Sequence, residues 1–295
     1  MTSSYMVRAT ALGGRVRAFG LNATEIVEEL RRRHDLNPVP AAAVGRTAMG
    51  ALLLAAASLK EEDQLLTVEV QGDGPIGRII CSADGAGGVR GLASNPYAHA
   101  PSRDGKLNVG AVVGPSGYLS VTRDLGMRES YKGTVELQSG EIGDDLAYYL
   151  ARSEQTPSAV GLGVFVLPDG SVEAAGGFLV QLLPGLEPDE IAAIEREVAA
   201  LPHPTALIRD GVTPEGILDR IFPGGYEALE QLPVRFHCPC SRERFEAALI
   251  TLGTEEIESI IREETRESTE LVCHFCNEAY HFSPCQMRGI LQSAS

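Results

Sequence analysis

Four cysteines near the C-terminal end of the chain have the spacing of metal ligands. They form two close pairs, Cys238 with Cys240 and Cys273 with Cys276, and residues 241–272 separate the pairs. Two such pairs, brought together by folding, supply four thiolates in the tetrahedral arrangement that a structural zinc ion prefers. Without metal, the same four sulfurs can close into two short-range disulfides. The sequence therefore predicts a metal site that can also act as a redox switch.

Two alternatives to a site of four thiolates remain open. One is a site of three cysteines and one histidine, because His237, His274 and His281 lie beside the cysteines. These histidines can equally form hydrogen bonds around the ligands. The other alternative is a set of ordinary buried thiols, which the close pairing of four cysteines disfavours. The remaining two cysteines, Cys81 and Cys285, are expected to be small buried apolar residues.

The cysteine pairs lie in a small predicted domain, residues 236–295, with helical patterns at 242–251 and 255–264. A core of this size is weak by itself, and a bound metal often completes it. A structural zinc ion contributes about 10–16 kcal/mol to the folding of such a domain. The whole stability of a typical domain is about 5–15 kcal/mol. Loss of the metal is therefore expected to unfold this C-terminal domain.

Residues 1–184 are predicted to form a mixed α/β core domain. Alternating patterns predict strands, and helical patterns surround them. The predicted strands are 65–71, 76–81, 118–124, 131–137, 160–167 and 171–182, and the predicted helices run from 22 to about 33, from 38 to about 60, and over 142–153. Glycine-rich turns join successive strands and favour antiparallel pairing. The predicted class is therefore α+β with a largely antiparallel sheet.

The stretch between these two domains, residues 185–235, is called here the linker segment. It has ten acidic and four basic residues, and helical patterns at 186–201 and 213–222. Prolines and glycines at 202–204 and 223–225 interrupt these patterns. Short interrupted helices are marginally stable unless they dock against a neighbour. The linker segment is therefore predicted to be helical and labile to heat or oxidation.

Composition excludes several classes of function. The net charge is −15 and no segment is basic, so a nucleic-acid partner is not expected. The GxGxxG match at 72–77 precedes a strand, so it is interpreted as a hairpin turn and no nucleotide is expected. The longest apolar stretch, 48–59, is too short to span a membrane, and no signal peptide is evident. The sequence thus predicts a cytoplasmic protein that has no catalytic constellation and is not an enzyme.

Several segments together resemble one family along essentially the whole chain. They are VQGDGPIGRI at 70–79, ARSEQTPSAVGLGV at 151–164, GGFLVQLLPG at 176–185, FHCPCS at 236–241, which contains the CxC pair, and the CxxC pair at 273–276. The chain resembles the redox-regulated heat-shock chaperone of about thirty-three kilodaltons, the chaperonin-33 family. A generic zinc ribbon would not share the N-terminal segments.

The resemblance implies an ATP-independent holdase of the bacterial cytoplasm, inactive while reduced and zinc-bound. It implies that oxidation forms disulfides Cys238–Cys240 and Cys273–Cys276 and expels the one zinc ion. The C-terminal domain and the linker segment then unfold, a homodimer is favoured, and unfolding client proteins are bound. From the residues alone, a marginal linker segment beside a metal-dependent domain is consistent with such an order-to-disorder switch.

Two functions from other classes compete with this interpretation. A zinc-dependent thiol–disulfide oxidoreductase could use the CxxC pair, although the usual redox CxxC lies near a βαβ pattern. A zinc-ribbon nucleic-acid binder would need positive charge, but residues 236–295 have five basic and ten acidic residues. The redox-regulated holdase is therefore the predicted function.

Overall fold

The predicted α+β class is confirmed by a computed structural model that describes residues 4–103, 105–263 and 268–293. The chain divides into two units, Met1–His237 and Cys238–Ser295. The linker segment belongs to the first unit, together with the predicted core domain. Its separate behaviour as a labile region stays a prediction. The last residue of the helix predicted over 255–264 lies outside the described residues.

The elements of the first unit alternate between strands and helices along the chain. Its strands are β1 (Tyr5–Ala11), β2 (Val16–Asn22), β3 (Leu65–Gln71), β4 (Arg78–Asp84), β5 (Gly88–Ala93), β6 (Tyr118–Asp124), β7 (Tyr131–Glu136), β8 (Ser158–Val166), β9 (Val172–Leu182), β10 (Glu227–Pro233) and β11 (Arg235–Phe236). Its helices are α1 (Thr24–His34), α2 (Pro38–Ser58), α3 (Val109–Val113), α4 (Gly143–Arg152), α5 (Pro188–Ala200), α6 (Pro204–Arg209) and α7 (Pro214–Ile221). The predicted strands and helices are all present, with ends that differ by a few residues.

Two sheets carry these strands. The first sheet has the order β10-β1-β2-β9-β8, and every neighbouring pair is antiparallel. The second has the order β11-β5-β4-β3-β6-β7, and only the short β11–β5 pair is parallel. The glycine-rich match at 72–77 joins β3 to β4, so its interpretation as a hairpin turn is confirmed.

Helix α2 is the central element of the main core. Its side chains are buried along almost its whole length, in one cluster with residues from both sheets such as Val68, Cys81 and Leu179. Length and composition alone would allow α2 to cross a membrane, but 89% of that stretch is buried inside the protein. Such burial is typical of a core helix in a folded domain.

The sequence patterns missed several strands. The hairpin of β1 and β2 has a detectable signal, because apolar residues alternate on both sides of the turn at Gly13 and Gly14. Strand β10 corrects the expectation that the linker segment is helical throughout. Its residues are mostly exposed, and it forms because the edge of β1 offers backbone hydrogen bonds over Tyr5–Thr10. This tertiary pairing outweighs a weak local pattern.

The second unit contains α8 (Arg242–Leu252), α9 (Thr254–Glu263), the hairpin β12 (Thr269–Val272) with β13 (Ala279–Phe282), and α10 (Pro284–Ser293). Its core is small. Among the described residues, its buried members are Leu249, Ile257, Phe282, Met287 and Ile290. A core of this size supports the prediction that this unit needs a further source of stability.

Candidate metal centre

Folding brings the four paired cysteines of the second unit into one cluster. Their sulfur atoms all lie within 4.8 Å of one another. The Sγ atoms of Cys238 and Cys273 are 3.7 Å apart, and those of Cys240 and Cys276 are 3.3 Å apart. Four sulfurs bound to zinc at about 2.3 Å in a tetrahedron lie about 3.8 Å from each other. The donor set and its spacing therefore fit a tetrahedral zinc ion.

A tight turn between β12 and β13 positions Cys273 and Cys276. The carbonyl oxygen of Cys273 accepts hydrogen bonds from the N–H groups of Cys276, at 3.3 Å, and Asn277, at 2.7 Å. Asn277 adopts a φ of 56°, a left-handed conformation that asparagine tolerates better than most residues. The turn places both sulfurs on one side of the hairpin.

Cys238 and Cys240 lie in the extended segment just before α8. Ser241 ends this segment, and its hydroxyl oxygen accepts a hydrogen bond from the N–H of Arg244 as the N-cap of α8. The Tyr280 hydroxyl, on β13, donates to the Sγ of Cys240 at 3.3 Å. The Tyr280 ring in turn packs on Phe245, with 4.8 Å between ring centroids. The small core and the sulfur cluster thus support each other.

The electrostatics of the cluster favour a bound cation. Burial raises the pKa of the thiols of Cys273 and Cys276, so these groups stay protonated in the absence of a positive charge. Backbone N–H groups of Phe275 and Glu278 donate to the two sulfurs and oppose that effect. A metal ion supplies the charge that stabilises the thiolates.

The histidines considered as alternative ligands lie outside the sulfur cluster, and the metal-ligand group found among the described residues contains cysteines alone. The Nδ1 atom of His237 is 3.2 Å from Oδ2 of Asp84 within the first unit. The Nε2 atom of His281 is 3.8 Å from Oε2 of Glu270. The geometry therefore favours four sulfurs over three sulfurs and one nitrogen.

The two remaining cysteines have different environments. Cys81 is fully buried on β4, and its pKa is raised by burial, as expected for a small core residue. The expectation for Cys285 is wrong, because this residue is exposed. Cys285 is the second residue of α10, and Met287 and Ile290 occupy the buried face of that helix.

A second candidate feature lies in the first unit, where α5, α6 and α7 cover one face of the first sheet. These three helices, which form the helical part of the linker segment, are called here the helical cover. They share a second core with that face of the sheet, separate from the core around α2. Its buried members are Val7, Ala9, Ala11, Val16, Ala18, Phe178, Val180, Ile194, Leu207, Ile217, Leu218, Ile221 and Phe222.

Glycines in the sheet allow this close approach. A Cβ atom added at Gly20 on β2 would lie 2.5 Å from the carbonyl oxygen of Pro214, the first residue of α7. A Cβ at Gly163 on β8 would lie 2.7 Å from the Cγ2 of Thr205 on α6. Neither glycine is distinguished by its sequence neighbours, because nothing local indicates what packs on it.

Each helix of the cover also has one polar contact with the sheet layer. The Tyr5 hydroxyl on β1 donates to Glu215 on α7 at 2.8 Å. Glu190 on α5 accepts two hydrogen bonds of 2.7 Å from the guanidinium of Arg15. Arg209 on α6 is 2.8 Å from a carboxylate oxygen of Glu173 on β9. These contacts fix the register of the helical cover on the sheet.

The family model described as Hsp33 protein matches residues 4–283. The chain belongs to the Hsp33 family. A 33 kDa chaperonin of Bacillus subtilis (strain 168) is 48% identical over 287 residues, which are 97% of each chain. A 33 kDa chaperonin of Listeria monocytogenes serotype 4b is 46% identical over an alignment of 296 positions that covers 99% of each chain. The crystal structure of the 33 kDa chaperonin from Thermotoga maritima matches with a TM-score of 0.89, 35% identity, and 99% coverage of both chains.

Membership of the Hsp33 family confirms the resemblance that the sequence segments indicated. The relatives are named chaperonins, and that name describes a role in protein folding that is not enzymatic. The four clustered sulfurs of this chain are compatible with the small metal-binding domain predicted at its C-terminal end.

Proposed function

We propose that this protein is an ATP-independent holdase that binds unfolding client proteins after oxidation of its four clustered cysteines. The observation that carries the proposal is the pairing of two features. A four-sulfur cluster begins at Cys238, directly after a linker segment whose helices cover an apolar sheet face. Unfolding that begins at the cluster can thus spread to the helical cover through the short stretch of chain between Ile221 and Cys238.

In the reduced state, the thiolates of Cys238, Cys240, Cys273 and Cys276 would hold one zinc ion and complete the small core of the second unit. A metal contributes about 10–16 kcal/mol to a domain of this kind. The five buried apolar residues described in that core supply roughly 1.5–3 kcal/mol each, or about 8–15 kcal/mol together, before chain entropy is subtracted. The metal therefore contributes about as much as the whole of this apolar core.

Oxidation would convert the four ligands into two disulfides. Each pair of thiolates gives up two electrons as one S–S bond forms, and one hydrogen peroxide takes up these two electrons and two protons from solvent to give two waters. The pairing proposed is Cys238 with Cys240 and Cys273 with Cys276, as the family resemblance implies. The short distances across the pairs make cross-pair bonds the alternative, and peptide mapping of the oxidised protein distinguishes the two.

Unfolding of the second unit would then spread backwards from Cys238. The adjoining strand β11 has two residues, and β10 exposes nearly all of its side chains. These strands are held mainly by backbone pairing with β5 and β1. Segments with few buried apolar contacts have a low local free energy of unfolding. Once β10 detaches, α7 loses the strand that follows it, and the cover is free to leave.

The surface that becomes available would be the apolar face of the first sheet. It contains Val7, Ala9, Val16, Phe178 and Val180, which the cover now buries. A contiguous apolar patch on a sheet is suited to binding the exposed apolar segments of unfolding proteins. The same face, uncovered in two copies, favours a homodimer. The net charge of −15 helps to keep the opened form in solution.

The proposed location is the cytoplasm, where the reducing environment keeps clustered thiols available as metal ligands. Oxidative stress would be the condition that changes their state. Neither nucleotide binding nor nucleic-acid binding forms part of the proposed mechanism.

The experiment that tests the proposal compares zinc-loaded reduced protein with peroxide-treated protein. Suppression of aggregation of a thermally unfolding client is measured together with zinc release in the same samples. We expect only the oxidised sample to protect the client, in proportion to the zinc released. Equal protection by both samples, or zinc retention without any protection, would overturn the redox mechanism.

The oxidoreductase alternative receives less support from the geometry. Cys273 and Cys276 are 8% and 3% exposed, and burial raises the pKa of both thiols. A catalytic CxxC needs an accessible thiolate with a lowered pKa. Insulin reduction at a rate above that of free dithiol would favour the alternative function.

A further inference from the structure

A cavity of about 440 Å³ lies within the first unit, where the start of α6 meets the core. Arg46 on α2, the loop residues Arg103 and Lys106, and the first residues of α4 form part of its wall. His203 and Pro204, at the start of α6, form another part. The cavity thus joins the helical cover to the core beneath it.

The cavity is locally positive in a strongly acidic protein. Three cations line it, Arg46, Arg103 and Lys106, against two carboxylates, Glu141 and Asp144. Among the lining residues that the structure describes, there is therefore an excess of one positive charge, on a chain whose net charge is −15. Basic groups that converge on a concave surface concentrate anions there.

Both carboxylates of the cavity are already engaged by neighbours. Glu141 accepts a hydrogen bond of 2.6 Å from Nη1 of Arg46, and Asp144 accepts one of 2.9 Å from the hydroxyl of Ser139. The Arg46 side chain is 12% exposed, and its Nε is buried with no hydrogen-bond partner among the described residues. Within the same described part of the chain, Lys106 has no carboxylate in ion-pair contact.

The start of α6 adds a neutral donor to this group of cations. The Nδ1 atom of His203 accepts from the backbone N–H of Thr205 at 3.4 Å and lies 2.8 Å from its hydroxyl. With Nδ1 as the acceptor, the proton of the neutral ring is on Nε2. Apolar side chains of Leu107, Val160 and Leu162 line the remaining wall. The cavity therefore combines cations, a hydrogen-bond donor and an apolar wall.

We propose that this cavity binds a small phosphate monoester, with the phosphate among Arg46, Arg103, Lys106 and His203 and the organic group against the apolar wall. Cations and N–H donors in convergence are the groups that recognise phosphate. A phosphate held there contacts both α6 and the core, so it holds the helical cover on the sheet. This regulatory consequence rests on the proposed function, whereas the binding site itself does not.

Binding is tested by calorimetric titration of the full-length, zinc-loaded protein with phenyl phosphate in low salt. We expect a Kd below about 1 mM, and no measurable binding of phenol, which lacks the phosphate. Lys106→Gln should weaken phenyl phosphate binding about tenfold or more, because it removes a charged hydrogen-bond donor. The matched control is Lys60→Gln, the same change at an exposed lysine that follows the C-terminal end of α2 and does not line the cavity. It should bind phenyl phosphate as the unaltered protein does. Absence of binding, or equal affinities of the two variants, would overturn the site.

The regulatory consequence is tested by limited proteolysis of the linker segment after peroxide treatment. Phenyl phosphate should slow cleavage between residues 185 and 235 in the unaltered protein and have no such effect in Lys106→Gln. If the ligand binds but does not change cleavage, the anion site stands and its regulatory role is overturned. If peroxide leaves the linker segment resistant with and without ligand, the proposed redox function fails, while the titration still decides the site.

Discussion

Substitution of Gly20 by alanine should loosen the helical cover without touching the metal centre. The added Cβ would lie 2.5 Å from the carbonyl oxygen of Pro214 at the start of α7. Ordinary contacts of this kind need about 3.5 Å, so α7 must move by roughly 1 Å. Both groups belong to the backbone or are fixed to it, and no side-chain rotation can relieve the overlap.

The expected magnitude follows from this overlap. Overpacking of a well-packed interface costs about 1–3 kcal/mol. Gly20 stays within the folded sheet when the cover leaves, so the whole of this cost falls on docking. A loss of about 1–3 kcal/mol in the free energy of docking raises the undocked fraction of the cover roughly 5- to 150-fold. The four cysteines lie in the other unit, so zinc content should be unchanged.

The assay uses reduced, zinc-loaded protein. Gly20→Ala should be cleaved faster within residues 185–235 and should protect a thermally unfolding client before any oxidant is added. Gly224→Ala is the matched control, because a Cβ there meets nothing within 4 Å. If Gly20→Ala undocks the cover, as shown by cleavage, yet does not protect clients without oxidation, then the covered sheet face is not the client surface. If neither cleavage nor protection changes, the inferred seating of α7 on Gly20 is wrong.

Three further predictions concern the metal centre and the polar contacts of the cover. Removal of zinc by a chelator under reducing conditions should abolish the cooperative unfolding transition of the second unit, measured by calorimetry, while the transition of the first unit remains. Tyr280→Phe, which removes the hydroxyl that donates to Cys240 at 3.3 Å, should weaken zinc binding about 10- to 100-fold; an unchanged affinity would show that this hydrogen bond does not support the ligand. Burial, followed by the hydrogen bond to Glu215, raises the pKa of Tyr5 to about 12. Its contribution to docking of α7 should be fully present below about pH 10 and lost as the pH rises through about 12. Proteolysis of the linker segment should therefore increase over that range more in the unaltered protein than in Tyr5→Phe, and parallel curves would contradict the assignment.

The local patterns of the sequence were sufficient for most elements of the fold. The alternation that predicted β3, β6 and β9, and the helical pattern that predicted α2, depend on residues close together in the chain. The strands that were missed include β10, whose exposed residues give no periodic signal. Its existence depends on pairing with β1, more than 200 residues earlier in the chain.

The sequence by itself was sufficient to predict a four-cysteine metal site, because two close cysteine pairs in a short acidic domain are typical of metal ligands. It also determined the family, through segments that extend along most of the chain. Tertiary structure alone decided which face of the first sheet the linker segment covers and which glycines allow the helices to pack closely on that face. It also decided which cations line the same cavity as His203. The physical reason is that chelating pairs and periodic patterns are local properties, whereas packing against a backbone and convergence of charge depend on contacts between distant residues.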